Sequence, residues 1–226
     1  MTSDKLRNIE HAQRITERVF ADVLAMLAPG VTELEIVQLV RRRAKEYGAS
    51  KLSFDPIVAT GRNAVAPHAT PGNRKLRNGH LLVIDLGVVF GGYCSDMTRT
   101  MAIGKPSAEQ RKVYGVVRRA QRSAIAAARP GMNGKELDAV ARDIITQAGY
   151  GKYFVHTLGH GVGRKVHQLP RISPKRYQTL KAGDVITFEP GIYLPGKFGV
   201  RIEDMLVLTS RGHRNLTRVP TRLISV

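Results

Sequence analysis

Along the N-terminal segment, Ile9, Ala12, Ile15, Val19, Val23 and Leu27 return every three or four residues, the spacing of one apolar face of an α-helix. Pro29-Gly30 ends that stripe, since proline has no amide hydrogen for the ladder and glycine tolerates the reversal. Thr32 with Glu35 has the capping-box pattern, and Ile36, Val37, Val40 and Ala44 carry the next stripe up to Gly48. The same order recurs further along. Ser107 with Gln110 opens a helix bearing Val113, Val116, Val117, Ala120 and Ala124, and Pro130-Gly131 closes it. Asn133 with Glu136 caps the following one, whose apolar positions Leu137, Val140, Ile144 and Ala148 run to Gly149.

After each helix pair the period changes. Leu81 to Val89 and Tyr93 to Ile103 flank Gly91-Gly92, a hairpin signal. Asp184 to Leu194 and Gly199 to Thr209 flank Pro195-Gly196 in the same way. Helix, helix, hairpin, repeated, predicts an α+β fold in which helix pairs cover one face of an antiparallel sheet with pseudo-twofold symmetry. With no linker or low-complexity stretch to divide it, the chain is expected to be one domain, 1–226, in two related halves of about 1–103 and 104–226.

Composition adds little to the fold but narrows the setting. Of 226 residues, 42% are hydrophobic and 24% charged, enough for a core and against disorder. Apolar runs such as Leu81 to Ile84 are far too short to span a membrane, and the N-terminus has no apolar stretch of the signal-peptide kind. Cys94 is the single cysteine, which excludes an internal disulfide and any cysteine-rich zinc module and suits the cytoplasm. The formal charge of +18 would allow contact with nucleic acid or the ribosome. Its carriers are dispersed, however, from Arg41–Arg43 through Arg118, Arg119 and Arg122 to Arg211–Arg218, with no interleaved aromatics for base stacking, so a solvated basic surface is the plainer reading.

Chemistry concentrates on the hairpins. Asp85 and Asp96 sit about symmetrically around the first turn, which places their Cβ atoms about 5 Å apart if opposed and about 7–8 Å apart if diagonal. Neighbours Val83, Ile84 and Leu86 are apolar, so two close carboxylates there would be both repelled and desolvated unless a cation joined them. Glu189 and Glu203 repeat the arrangement around Gly196. One such pair is commonly a surface coincidence or a salt-bridged pair; two in matching places of a repeat point to metal. Four oxygen donors plus one imidazole suit a pair of Mn, Co, Fe or Zn ions. The imidazole is sought among His156, His160 and His167, interspersed with Gly159, Gly161 and Gly163, which permit close backbone approach. His68, in the proline-bounded Ala66-Pro67-His68-Ala69-Thr70-Pro71, has by itself as strong a claim to a structural role.

Taken in chain order, Phe54 to Asn63 with His68, Val83-Ile84-Asp85-Leu86-Gly87, Ser95 to Thr100, Gly159 to Gly163 with His167, Phe188 to Tyr193 and Val200 to Asp204 resemble the pita-bread metallopeptidases. That family comprises Xaa-Pro aminopeptidases, prolidases and methionine aminopeptidases, and the likeness covers nearly the whole chain. It implies the pita-bread fold, with helix pairs on a curved antiparallel sheet. It also implies two divalent ions, manganese slightly ahead of the others, held by Asp85, Asp96, His160, Glu189 and Glu203, with Asp96 and Glu203 bridging. A bridging hydroxide would attack the scissile carbonyl, Glu189 would shuttle its proton, and His68 and His167 would hold the carbonyl and the tetrahedral intermediate. The substrate implied is a peptide with a free N-terminus; a homodimer is a compatible assembly.

His156, Arg201 and the Glu189 to Tyr193 run resemble the Xaa-Pro branch, with His156 and Arg201 serving substrate or ligand orientation. The chain departs from that branch in showing no separate N-terminal domain, in Gln168 where an acidic residue is usual, and in Arg164 where an aliphatic one is common. The alternatives are a methionine aminopeptidase-type activity, or a non-catalytic pita-bread module whose basic surface binds RNA, ribosome or acidic protein.

Overall fold

A computed structural model of the chain describes residues 3–175 and 177–226. Helices α1 (Ser3–Met26) and α2 (Glu33–Glu46) are followed by β1 (Lys51–Leu52), β2 (Ile57–Thr60), β3 (Leu81–Leu86), β4 (Val88–Phe90), β5 (Tyr93–Cys94) and β6 (Met97–Ala102). Helices α3 (Ala108–Ala127) and α4 (Gly134–Gln147) precede β7 (Gly159–Gly161), β8 (Gln168–Ile172), β9 (Val185–Phe188), β10 (Gly191–Leu194), β11 (Phe198–Arg201), β12 (Asp204–Thr209), β13 (Gly212–Asn215) and β14 (Ile224–Ser225). The α+β architecture expected from the periodicity is the one observed.

Local signals set the helix ends. Thr32 with Glu35, Ser107 with Gln110 and Asn133 with Glu136 all form reciprocal capping boxes, each satisfying two otherwise free amides. The stripes of α1, α2 and α3 are buried as expected. On α4 the buried face is Leu137, Ala141 and Ile145, with Val140 and Ile144 only half-buried. Positions 140 and 141, like 144 and 145, are both apolar, so periodicity alone could not choose between them. The helix pairs cover two core clusters: α1 and α2 close over β2, β3 and β6, and α3 and α4 over β9 to β12.

The repeat extends to individual hydrogen bonds. Gly30 N donates to Leu76 O as Gly131 N does to Leu180 O, each at 2.9 Å, and Glu33 N donates to Arg74 O as Gly134 N does to Gln178 O, at 3.1 and 3.0 Å. Each capping residue also forms an isolated antiparallel bridge, Thr32 with Lys75 and Asn133 with Thr179.

The hairpins are less regular than the sequence suggests. Each long strand is broken at or within two residues of its carboxylate and passes between two sheets: β3 and β6 lie in the sheet β14-β6-β3-β2 while β4 and β5 join β1, and β9 and β12 lie in β13-β12-β9-β7-β8 while β10 pairs with β11. Among the described residues the parallel strand pair is β14 with β6. The first break depends on Gly87, where a Cβ would lie 2.0 Å from the Ser95 carbonyl oxygen. Gly87→Ala must therefore separate the two strands. Forced overpacking typically costs about 1–3 kcal/mol, and a loss of at least that size is expected in urea unfolding; unchanged stability would contradict the close crossing.

Candidate metal centre

The strand breaks surround one cleft of about 680 Å³, whose walls include His68, Asp85, Asp96, His156, His160, His167, Glu189, Arg201 and Glu203. All nine sequence-derived candidates thus line a single cavity. Glu189 and Glu203 oppose each other as expected, because Phe188 pairs with Asp204 on one side and Gly191 with Arg201 on the other. The first pair is diagonal instead. Asp85 faces Thr98 and Leu86 faces Met97, which brings Asp96 opposite Gly87. The reason is the turn: Gly91 and Gly92 both have positive φ, 56° and 78°, and Phe90 pairs with Tyr93, so the hairpin axis passes between the two glycines and not midway between Asp85 and Asp96.

Ligand-capable atoms of Asp96, His160 and Glu203 lie within 4.8 Å of one another, and all three residues are buried. His160 Nε2 is 3.3 Å from Glu189 Oε1 and 3.7 Å from Asp96 Oδ2. Its Nδ1 donates to the Gly161 carbonyl at 3.2 Å; burial lowers the ring's pKa but Glu189 outweighs it and raises it, so without metal Nε2–H faces Glu189, and loss of that proton frees Nε2 as a ligand. Asp85 Oδ2 accepts from Arg201 Nη2 at 2.7 Å, while Asp85 Oδ1 is buried with no protein partner. Glu203 Oε2 accepts from Thr98 Oγ1 at 2.7 Å.

Electrostatically this cluster is costly by itself. Burial, followed by the charges of Glu203, Asp85 and Glu189, pushes Asp96 well above the usual carboxylate range. Burial, with Glu189 and Asp85, does the same to Glu203, and burial also raises Asp85 against the pull of Arg201. Glu189 goes the other way: burial opposes its charge, but His160, His156 and Arg201 outweigh it and hold it at about 2. Crowded carboxylates, an orphaned oxygen and an imidazole Nε2 among them form a donor set that fits divalent cations, which replace mutual repulsion and the imidazole proton by coordination.

A hydrogen-bonded support surrounds the donors, and several of its members carry no signal in composition or spacing. Arg201 Nε donates to Thr98 Oγ1 at 3.1 Å and Nη1 donates to Tyr193 Oη at 2.9 Å. Tyr193 in turn donates to His156 Nε2 at 2.9 Å, because His156 Nδ1 is committed to the Thr157 carbonyl at 2.8 Å. Thr187 Oγ1 accepts from His160 N at 3.1 Å and reaches Glu189 Oε1 at 3.3 Å. The one legible hint was alternation: Asp96, Thr98 and Thr100 share a strand face. His156 has both ring nitrogens engaged and acts on the cleft through Tyr193. His68 and His167 are exposed on the cleft wall, and the His167 ring stands edge-on to His160 with centroids 4.3 Å apart. Gln168 folds over Gly163, where a Cβ would meet its Oε1 at 2.5 Å, and Arg164 is exposed beside the Tyr93 ring.

Arg201→Ala removes the partner of Asp85 and breaks the chain to Tyr193 and His156. Loss of such an outer partner typically costs about 10–100-fold in metal affinity or activity, and that range is expected here. Metal titration together with circular dichroism checks it; collapse of the fold would make Arg201 a structural residue instead.

Residues 7–210 match the model of metallopeptidase family M24. The chain is 43% identical over 216 residues to an uncharacterised peptidase of Staphylococcus aureus, covering 96% of this chain and 62% of that protein. It is also 43% identical to an Xaa-Pro dipeptidase of Pyrococcus furiosus, covering 99% of this chain and 64% of that one. A crystal structure of an X-Pro aminopeptidase from Thermotoga maritima superposes with a TM-score of 0.97 at 40% identity, over 100% of this chain and 64% of that chain. The chain therefore spans a little under two thirds of the length of these relatives. With the donor set and the pita-bread arrangement of helix pairs on antiparallel sheets both in place, the chain belongs to metallopeptidase family M24.

Proposed function

We propose that residues 1–226 act as one catalytic unit of a metal-dependent exopeptidase that removes the first residue of a peptide when proline follows it. The observation that carries this reading is the convergence of Asp96, His160 and Glu203, with Asp85 and Glu189 beside them, in the wall of a cleft large enough for a short peptide. Asp85, Asp96, His160, Glu189 and Glu203 would hold two divalent ions. A set dominated by carboxylate oxygens favours manganese over softer alternatives. The Xaa-Pro preference rests on the relatives, an Xaa-Pro dipeptidase and an X-Pro aminopeptidase.

Bound there, two divalent cations supply an acidified water and a polarised carbonyl. The chain's own groups do the rest. Glu189, ionised at neutral pH, accepts a proton from water and returns it to the leaving amine. His167 and His68, on the cleft wall, donate hydrogen bonds to the substrate carbonyl oxygen as negative charge develops on it. Arg201, Tyr193 and His156 keep Asp85 in place through the bonds described above.

Metal content per chain, measured alongside Xaa-Pro dipeptides, Xaa-Pro-Xaa and Met-Ala-Xaa peptides, tests the reading. Two metals and release of the residue before proline are expected. Preferential removal of methionine would replace it with the methionine-type activity. Absence of metal-dependent turnover on the whole panel would reject it.

A further inference from the structure

Three depressions away from the metal cleft adjoin one another through shared wall residues, in the order of a trough. The first, about 690 Å³ between α3 and α4, contains Arg119 and Arg122. The second, about 500 Å³, shares Arg122 and Ala126 with it and adds Arg118. The third, about 490 Å³, shares Asn215 with the second and is walled by Arg7, Arg14, Arg214 and Arg218. Asp204 lines the second depression while its chain neighbour Glu203 lines the metal cleft, so the trough and the cleft lie on opposite sides of the same strand.

Negative charge beside this path is paired: Asp4 with Arg7 and Glu17 with Arg14 at the third depression. The acidic wall residues of the path are Asp204 and Glu10, already paired with Arg99 and Arg214. Among the described residues, Arg118, Arg119, Arg122 and Arg218 have no carboxylate within salt-bridge range. Like charges set along a concave surface concentrate positive potential there. At the far end, the exposed His11 ring stacks on Phe90 with centroids 3.9 Å apart and planes 17° from parallel, which leaves a supported aromatic face beside Arg7 and Arg14. No such stacking platform was visible in sequence, because the two rings come from distant segments.

We propose that this arginine-lined trough docks single-stranded nucleic acid, its guanidinium groups on successive phosphates and the His11 ring beneath a base. Guanidinium forks match phosphate oxygens in paired hydrogen bonds, and ring faces accept any base, so the contact is sequence-tolerant. A membrane surface fits less well: the exposed large apolar side chains among the described residues, Leu34, Val155, Leu169, Tyr177 and Val226, all lie outside the trough, which leaves nothing to enter a bilayer. The inference is independent of the peptidase reading.

Fluorescence anisotropy of the whole chain with a labelled 20-nucleotide RNA tests it. If about seven phosphates are neutralised, each contributing a slope of about −0.7, raising salt from 50 to 200 mM weakens binding on the order of 10³-fold. Arg119→Glu with Arg122→Glu, and separately Arg214→Glu with Arg218→Glu, are expected to weaken binding at least ~10-fold, since each reversal removes a counterion-releasing contact and adds repulsion. His11→Ala should lower affinity while leaving the salt slope unchanged. Arg42→Glu with Lys45→Glu, on exposed α2 positions, is the charge-matched control and should change binding less than ~3-fold. Equal losses in trough and control variants would reduce the effect to net charge and overturn the proposal. So would poly-glutamate that competes as well as RNA, which would assign the trough to an acidic protein segment.

Discussion

Asp96→Ala or Glu203→Ala is expected to abolish metal-dependent peptide turnover and, in the same protein, to raise the thermal stability of the metal-free chain. The two effects share a cause. Each carboxylate is buried, and each is held well above its ordinary pKa by burial and by the other acids around it. Without metal, removing one of them relieves repulsion and desolvation together. With metal, the same removal takes away a donor of the proposed centre itself. The loss should exceed the ~10–100-fold expected when only an outer partner of a ligand is lost. Thermal shift is the direct readout: the native chain should gain stability with manganese as binding to the folded state dictates, and the variants should respond weakly or not at all. A variant that keeps near-native turnover and an undiminished manganese shift would refute the site.

The second large effect is on folding. Arg99 is only 2% exposed, yet every guanidinium hydrogen has an acceptor. Nη2 meets Asp204 Oδ1 at 2.7 Å and the Val219 carbonyl at 2.6 Å, Nη1 meets the Glu203 and Thr98 carbonyls at 2.6 and 2.9 Å, and Nε meets the Pro220 carbonyl at 3.2 Å. One side chain thus ties β6 to β12 and anchors the segment leading to β14. Arg99→Ala strands Asp204 with Asn215 as its remaining side-chain partner and leaves four carbonyls short of a donor. Breaking a buried pair in this way typically costs about 3–5 kcal/mol. Chemical denaturation should show that loss, and Arg99→Met with Asp204→Leu should recover part of it by removing the abandoned charge. A single-variant loss below about 1 kcal/mol would mean that water replaces the arginine and that the brace is dispensable.

How far the site could be read in advance depended on how local each signal was. Capping boxes at Thr32, Ser107 and Asn133 were legible because cap and partner sit three residues apart. The Glu189–Glu203 pairing was legible because one turn defines it, whereas for Asp85 and Asp96 the sequence left opposed and diagonal registers open and the structure takes the diagonal one. Tyr193 and Thr187 were invisible as supporting groups, since Arg201, His156 and His160 reach them from other segments, while Thr98 was hinted at only by sharing a strand face with Asp96. The basic residues were misleading in the opposite sense: dispersed in sequence, Arg118 and Arg122 line one depression and Arg7, Arg14, Arg214 and Arg218 the next, the two sharing Asn215.

By itself the sequence determined the element order, the repeated helix-helix-hairpin plan, the α+β class and the residue types able to bind metal. These are encoded by periods of two and 3.6 residues and by contacts within a few positions. Only the tertiary structure decided which carboxylates share a cavity, which oxygen of Asp85 is left unpartnered, how Arg201, Tyr193 and His156 connect, and where the positive charge collects. The hydrogen bonds in those features join residues from 8 to 116 positions apart, across separate strands and loops, and their energies depend on burial and on distances that no local pattern contains.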